Sequence, residues 1–247
     1  MFDFHSHILP NVDDGSKNLE ESLELLASSF KQNIEAIVAT PHFSPEAEDP
    51  ETFLKRRVEA TKKLLTAYDN SVHPKVYLGA EVAYYPGIKC SEKIKALRIL
   101  GTKHILIELP FYKWSNNMID EIIEIKKRLG LVPIIAHIER YGIVRHKDIL
   151  HKLISQGVLI QSNASFFINK RTRRKALKIL SLGQIQLLGS DMHNLEQRPQ
   201  NLKMAEDIIR ENLGNSVLKR LRFFGNEVLQ GAVPIESALE YSLKGEA

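Results

Sequence analysis

The sequence holds a single cysteine, Cys90, in 247 residues, which excludes a disulfide within the chain and fits a reducing compartment. No apolar run approaches the roughly 20 residues of a membrane span. The N-terminus has no basic stretch followed by an apolar core, so no secretory signal is expected and a cytoplasmic location is. No Pro- or Gly-rich linker, internal repeat or low-complexity tract divides the chain. Residues 1–247 are therefore expected to form one domain, a length that α/β barrels routinely occupy. Charge is nearly balanced, with a formal net value of +4. That small excess favours acidic partners, phosphorylated ones included. Much of it sits in the segment Lys170–Lys175 and Lys178, a solvated helix face or a docking patch. Basic and aromatic residues do not combine into a nucleic-acid groove, so neither nucleic acid nor membrane insertion is expected.

What is present is a repeated alternation of apolar β-branched runs and amphipathic segments. Phe2 and Phe4 flank Asp3 in a short strand that leads to His5 and His7. Asn18 is positioned to cap a helix carrying Leu19, Leu23, Leu26 and Phe30 at helical spacing. Further strands are expected at 34–40, 76–80, 104–107, 132–136, 158–161 and 185–189. Helices are expected at 52–68, 91–98, 117–129, 147–155, 169–180, 201–212, 215–222 and 234–243. Strand then helix, about seven times, predicts a parallel sheet with helical crossovers.

The polar residues choose between an open sheet and a barrel. His5 with His7, His42, Glu81, Glu108, His137, and Asp191 with His193 each fall at the C-terminal end of a different predicted strand. A barrel brings those ends to one mouth, where active sites of such folds lie; an open sheet would scatter them. Residues two apart on a strand share a face, so His5 and His7 can aim at one point. Imidazoles and carboxylates without thiolate suit catalytic manganese, iron or zinc. So many donors exceed the needs of one ion, and two or three ions sharing a carboxylate is the economical reading.

The blocks His5-Ser6-His7, Val12-Asp13-Asp14-Gly15, Thr40-Pro41-His42, Gly79-Ala80-Glu81, Ile107-Glu108, Ala136-His137-Ile138-Glu139-Arg140-Tyr141 and Ser190-Asp191-Met192-His193-Asn194 carry a resemblance. In order and spacing, from residue 1 to about 199, they resemble the polymerase-and-histidinol-phosphatase (PHP) superfamily. More narrowly, they are similar to bacterial PHP-type protein-tyrosine phosphatases of capsule and exopolysaccharide operons. The resemblance implies a distorted seven-stranded (β/α)7 barrel, TIM-like in type, holding three divalent ions. Manganese is the first expectation, with iron, zinc, cobalt or magnesium as other occupants. By the same resemblance, His5, His7, Glu81 and Asp191 would surround one ion. Glu108 and His137 would hold a second, bridged by Glu81, and Asp14, His42 and His193 a third. Asp13 is an alternative to Asp14. Arg140 and Arg198 match the phosphate-contacting arginines, although Gln-Arg-Pro stands here where relatives often have Gly-Arg-Pro. These two, with His42 and His193, are the catalytic candidates.

The implied chemistry is hydrolysis of phosphotyrosine by a metal-bridging hydroxide. The implied substrate is a bacterial tyrosine kinase at the membrane that regulates polysaccharide synthesis. A cysteine-phosphatase mechanism requires Cys, five residues, then Arg. Cys90 is followed by Ser91-Glu92-Lys93-Ile94-Lys95-Ala96, which removes that route and leaves Cys90 as a buried or partly buried bystander. The alternatives are a small-molecule phosphomonoesterase such as a histidinol-phosphate phosphatase, a phosphodiesterase, or a non-catalytic metal-binding regulatory module.

Overall fold

A computed structural model describes residues 1–111, 114–142 and 147–243. The chain opens with β1 (Phe2–Ser6), α1 (Leu19–Lys31), β2 (Ala36–Ala39) and β3 (His42–Phe43), then α2 (Pro50–Leu65), β4 (Lys75–Leu78) and β5 (Glu81–Ala83). It continues through β6 (His104–Glu108), α3 (Asn116–Leu129), β7 (Val132–Ile135), α4 (Lys147–Ser155), β8 (Leu159–Asn163), α5 (Ser165–Ile168), α6 (Arg173–Ser181) and β9 (Leu187–Gly189). Three helices close it: α7 (Leu202–Leu213), α8 (Asn215–Leu229) and α9 (Ile235–Leu243). Asn18 caps α1 as expected, accepting from the Glu21 amide at 2.9 Å; α2 starts two residues earlier than the expected 52, where Asp49 accepts from the Glu51 and Thr52 amides.

The strands form a curled parallel sheet in two sections, ordered β1-β2-β4 and β3-β5-β6-β7-β8-β9. Every strand pairing in them is parallel. Only Thr40-Pro41 separates β2 from β3, and only Gly79-Ala80 separates β4 from β5, so the chain runs directly from one section into the other. Proline contributes no amide to a ladder, which accounts for the first break. On the opposite side, β1 meets the residues that follow β9. Asp191 N–H donates to the His5 carbonyl at 2.8 Å, and His7 N–H donates to the Met192 carbonyl at 2.9 Å.

The expected strand run 34–40 is shorter than predicted; the expected helix over 169–180 begins only at Arg173, after a turn at Asn169, and an unpredicted short helix, α5, precedes that turn. The 91–98 segment is a 3-10 turn over Glu92–Leu97. Cys90 is exposed rather than buried; its short 3-10 turn packs through Ile88 and leaves the cysteine outward.

The core has two parts. A large one lies between sheet and helices. A smaller one gathers Phe4, Val38, Leu106, Ile134 and Leu187 from five strands, with Val228 of α8 beneath them. A register irregularity between Asp3 and Ser6 interrupts the alternation of β1. Phe4 thus joins the apolar cluster while its neighbour His5 joins the polar one described below.

Candidate metal centre

Glu81 is the hub. Its carboxylate is buried, with Oε2 lying 3.0 Å from His5 Nε2 and 2.9 Å from His42 Nδ1. Its Oε1 lies 2.8 Å from His137 Nε2. The β3–β5 register places His42 beside Glu81, and the next strand brings Glu108 Oε1 to 3.3 Å from His137 Nε2. His5 and His7 converge as their spacing predicts, with Nε2 atoms 3.1 Å apart. Asp14 reaches His42 Nε2 and His193 Nε2, each at 3.4 Å, and is 67% exposed, so it stands at the rim.

Asp191 Oδ1 lies 3.6 and 3.5 Å from the Nε2 atoms of His5 and His7, so all nine predicted ligands meet on the side of the sheet where the strands end. Among the described residues, three ligand groups have donor atoms close enough to share an ion: His5, His7 and Glu81; His42, Glu81 and Glu108; and His7, Asp14, His42 and His193. All three differ from the sets implied by resemblance: the first lacks Asp191, the second has His42 in place of His137 beside Glu81 and Glu108, and the third gains His7. Asp13 sits behind the ligands. Its Oδ2 is 2.7 Å from His7 Nδ1 and accepts from the His42 amide at 3.0 Å. Such a carboxylate orients a ligating imidazole and fixes its tautomer.

Two of the positions are backbone outliers. His137 has φ +30° and Asp191 φ +57°, a left-handed conformation that costs a non-glycine residue of order 1 kcal/mol or more. The surroundings hold both. The Gln161 side-chain oxygen accepts from His137 N–H at 2.6 Å, and the seam bond to the His5 carbonyl holds Asp191. Gly189 allows the close packing behind His5: a Cβ there would lie 2.5 Å from His5 Cβ and 2.6 Å from Gln161 Nε2.

Arg140 and Arg198 both converge on Asp191. Arg140 pairs with its Oδ2, and Arg198 Nη2 lies 2.6 Å from its Oδ1. Asn163 Nδ2 donates to Oδ2 at 2.8 Å.

The donor set fits divalent cations. Burial alone would raise the pKa of Glu81, but the charge of His5 and the bonds from His137, His42 and His5 hold it well below the carboxylate range. Asp191 behaves likewise: burial is outweighed by His5, His7 and Arg140, and its pKa is lowered. The compensating protons sit on imidazoles. Burial opposes charge on His7, yet Asp13, Asp191 and Glu81 hold its pKa well up. Against the same burial, Glu108 and Glu81 push His137 up to about 9. A cluster that keeps buried carboxylates ionised demands positive charge, and divalent ions replace protons in that role. Among the described residues three buried atoms of the cluster, Glu81 Oε2, His137 Nδ1 and His193 Nε2, have no partner in hydrogen-bond geometry, although Glu81 Oε2 lies close to His5 and His42; Glu81 and His193 belong to groups able to share an ion.

Residues not singled out from sequence support the cluster. The Asp3 carboxylate accepts from Ser190 N–H and Oγ–H at 2.9 and 2.6 Å and from Gln200 Nε2 at 2.9 Å, tying β1 to the Asp191 turn. Gln161 links His137 to Asn163, and Glu139 accepts from Ser162 Oγ and the Asn163 amide. The available signals were period two from His5 back to Asp3, and the amide pair Gln161/Asn163 at the one strand end without a titratable ligand.

The tyrosine-protein phosphatase CpsB of Streptococcus pneumoniae is 33% identical over 243 residues, covering 90% of this chain and 94% of that protein. CpsB of Streptococcus agalactiae serotype V is 32% identical over 233 residues, with the same coverage. Among solved structures, one described with YwqE from Bacillus subtilis and CpsB from Streptococcus pneumoniae as "unique metal-dependent tyrosine phosphatases" superposes with a TM-score of 0.80. It has 25% identity and covers 94% of this chain and 96% of its own. The family model "Capsular polysaccharide synthesis, CpsB/CapC" matches residues 1–229, and the chain belongs to that family.

Proposed function

We propose that this chain is a metal-dependent protein-tyrosine phosphatase, one domain over residues 1–247, built as a distorted (β/α)7 barrel. Counting β2 with β3 and β4 with β5 as single interrupted strands gives seven, and the hydrogen bonds between β1 and the Asp191 turn support closure. The observation that carries the function is the pairing of a buried, histidine-rich carboxylate cluster with two arginines at one mouth. Relatives that share about a third of the sequence over nine-tenths of the chain are named tyrosine phosphatases.

In this reading His5, His7, Glu81 and Asp191, Glu108 with His137, and Asp14 with His42 and His193 hold three divalent ions, manganese first. Bound ions supply a water of lowered pKa and positive charge for the phosphoryl oxygens. Arg140 and Arg198 bind the phosphate: their forked donors match two oxygens at once, and a phosphate dianion competes with Asp191 for them. Asp13 and Gln161 hold imidazoles in place. The leaving phenolate, with a pKa near 10, needs less protonic help than an alkoxide. The substrate is a phosphotyrosine protein, a bacterial tyrosine kinase of capsule or exopolysaccharide synthesis, met from the cytoplasm. Among the described residues no helix is long and apolar enough to cross a membrane.

The test is phosphate release from a phosphotyrosine peptide and from histidinol phosphate, each with manganese and with chelator. Peptide hydrolysis that needs the metal is the expected result. A preference for histidinol phosphate would replace this reading with a small-molecule phosphomonoesterase, and inactivity on both would reduce the chain to a binding module.

A further inference from the structure

Beside the metal cluster, on the Glu108 side, lies an open cleft of about 620 Å³ lined by Ala83, Tyr84, Glu108, Leu109, Pro110 and Phe111. Phe111 is 64% exposed, an unusual cost for a large apolar ring next to a charged centre. Its orientation is defined nonetheless. The ring lies nearly parallel to that of His137, with an interplanar angle of 11° and centroids 6.5 Å apart. It also sits 5.8 Å from Tyr141. Tyr141 is braced in turn by Trp114, 5.0 Å away, and its hydroxyl accepts from the Leu109 amide at 3.0 Å. The result is an aromatic wall, rigid at its back and open at its front.

Glu108 belongs both to this cleft and to a ligand group with His42 and Glu81. A phosphoryl group held at that group therefore has its ester substituent next to the wall. We propose that Phe111, backed by Tyr141, is the aryl subsite that receives the ring of the phosphotyrosine, and that it sets the preference for aryl over alkyl phosphates. The proposal rests on the phosphatase reading above and extends it to substrate selection. An aromatic ring gains from a flat partner both buried area and edge or face contacts. The single methylene of a phosphoserine offers the wall nothing comparable.

The test compares binding of phenylphosphonate, methylphosphonate and inorganic phosphate to the manganese-loaded protein by titration calorimetry, in the wild type and in Phe111→Ala. We expect the dissociation constant for phenylphosphonate to rise about tenfold in the variant, a loss of the size aromatic contacts support. Those for methylphosphonate and phosphate should stay within about twofold, and Phe111→Tyr should restore most of the difference. Equal changes for all three ligands, or none, would overturn the subsite. Failure of the phosphatase reading is separable: the wild type would then leave a phosphotyrosine peptide intact while still binding phenylphosphonate more tightly than methylphosphonate.

Discussion

Glu81, His137 and Asp191 show how much a single position does here. Each is buried, each meets several partners, and two of the three adopt a left-handed backbone that the fold must hold. Alanine at His137 or Asp191 keeps that backbone cost and removes the donor. Each substitution is expected to lower kcat/KM on a phosphotyrosine peptide by roughly a hundredfold or more, the range for groups acting directly at a reacting centre, while circular dichroism stays unchanged. Wild-type turnover in either variant would remove that residue from the centre. Arg198→Ala should act mainly on substrate affinity, raising KM, because Arg140 still supplies one guanidinium at Asp191. An unchanged KM and rate would show that Arg198 is only a structural partner of Asp191. Cys90, the one thiol, lies exposed on a surface turn, and its replacement by serine should leave the rate as it is.

At the scale of elements, the site depends on where strands stop. The breaks at Thr40-Pro41 and Gly79-Ala80 re-aim the chain so that His42 and Glu81 enter the mouth side by side. Arg57 of α2 braces the second break, donating to the Gly79 carbonyl at 2.7 Å and packing over Phe53 at 5.7 Å. Burial and the nearby Arg98 bring its pKa down to about 10. On the far side, β9 approaches β1 so closely that residue 189 has no room for a side chain. Gly189→Ala should therefore destabilise the protein by about 1–3 kcal/mol, the usual cost of forcing atoms into a packed site, and reduce the metal retained after gel filtration. Urea unfolding and metal analysis measure both. A neutral substitution on both counts would mean that the seam relaxes freely.

The whole molecule separates a polar mouth from a largely apolar base. At the base, α8 lies against the strands: a Cβ on Gly225 would strike the Phe2 ring at 2.5 Å, and Val228 completes the small apolar cluster. Buried there is His104, whose Nδ1 has no hydrogen-bond partner among the described residues. Burial, reinforced by the charge of Lys103, lowers its pKa from 6.5 to about 4. Above pH 6.5 the ring is neutral in both folded and unfolded chains and has no effect on the balance. As pH falls from 6.5 towards 4, the unfolded chain takes up a proton that the folded chain refuses, so stability is lost at up to about 1.4 kcal/mol per unit. His104→Gln lacks this term. The stability gap between wild type and variant, followed by urea unfolding from pH 7.5 to pH 4.5, should shift in favour of the variant. Parallel pH profiles would show that His104 protonates in the fold.

Much of this was written in local sequence. Apolar runs of strand length, the Asn18 cap and helical spacing identified the elements, because burial and backbone hydrogen bonding act over a few residues. The position of one polar residue per strand end was equally local, and with a parallel sheet it implied a shared mouth. Tertiary structure alone decided which donors lie close enough to share an ion, since that depends on the register between strands and on breaks within them. It placed His42 beside Glu81 and Glu108, set Asp14 at the rim, and put Asp13 behind His7. It also disclosed Asp3, Gln161 and Glu139 as supports, whose partners lie up to 197 residues away, and it turned Cys90 outward. The sequence determined the chemistry of the donors, which belongs to each side chain. Their geometry arose only when distant strands came within hydrogen-bonding distance of one another.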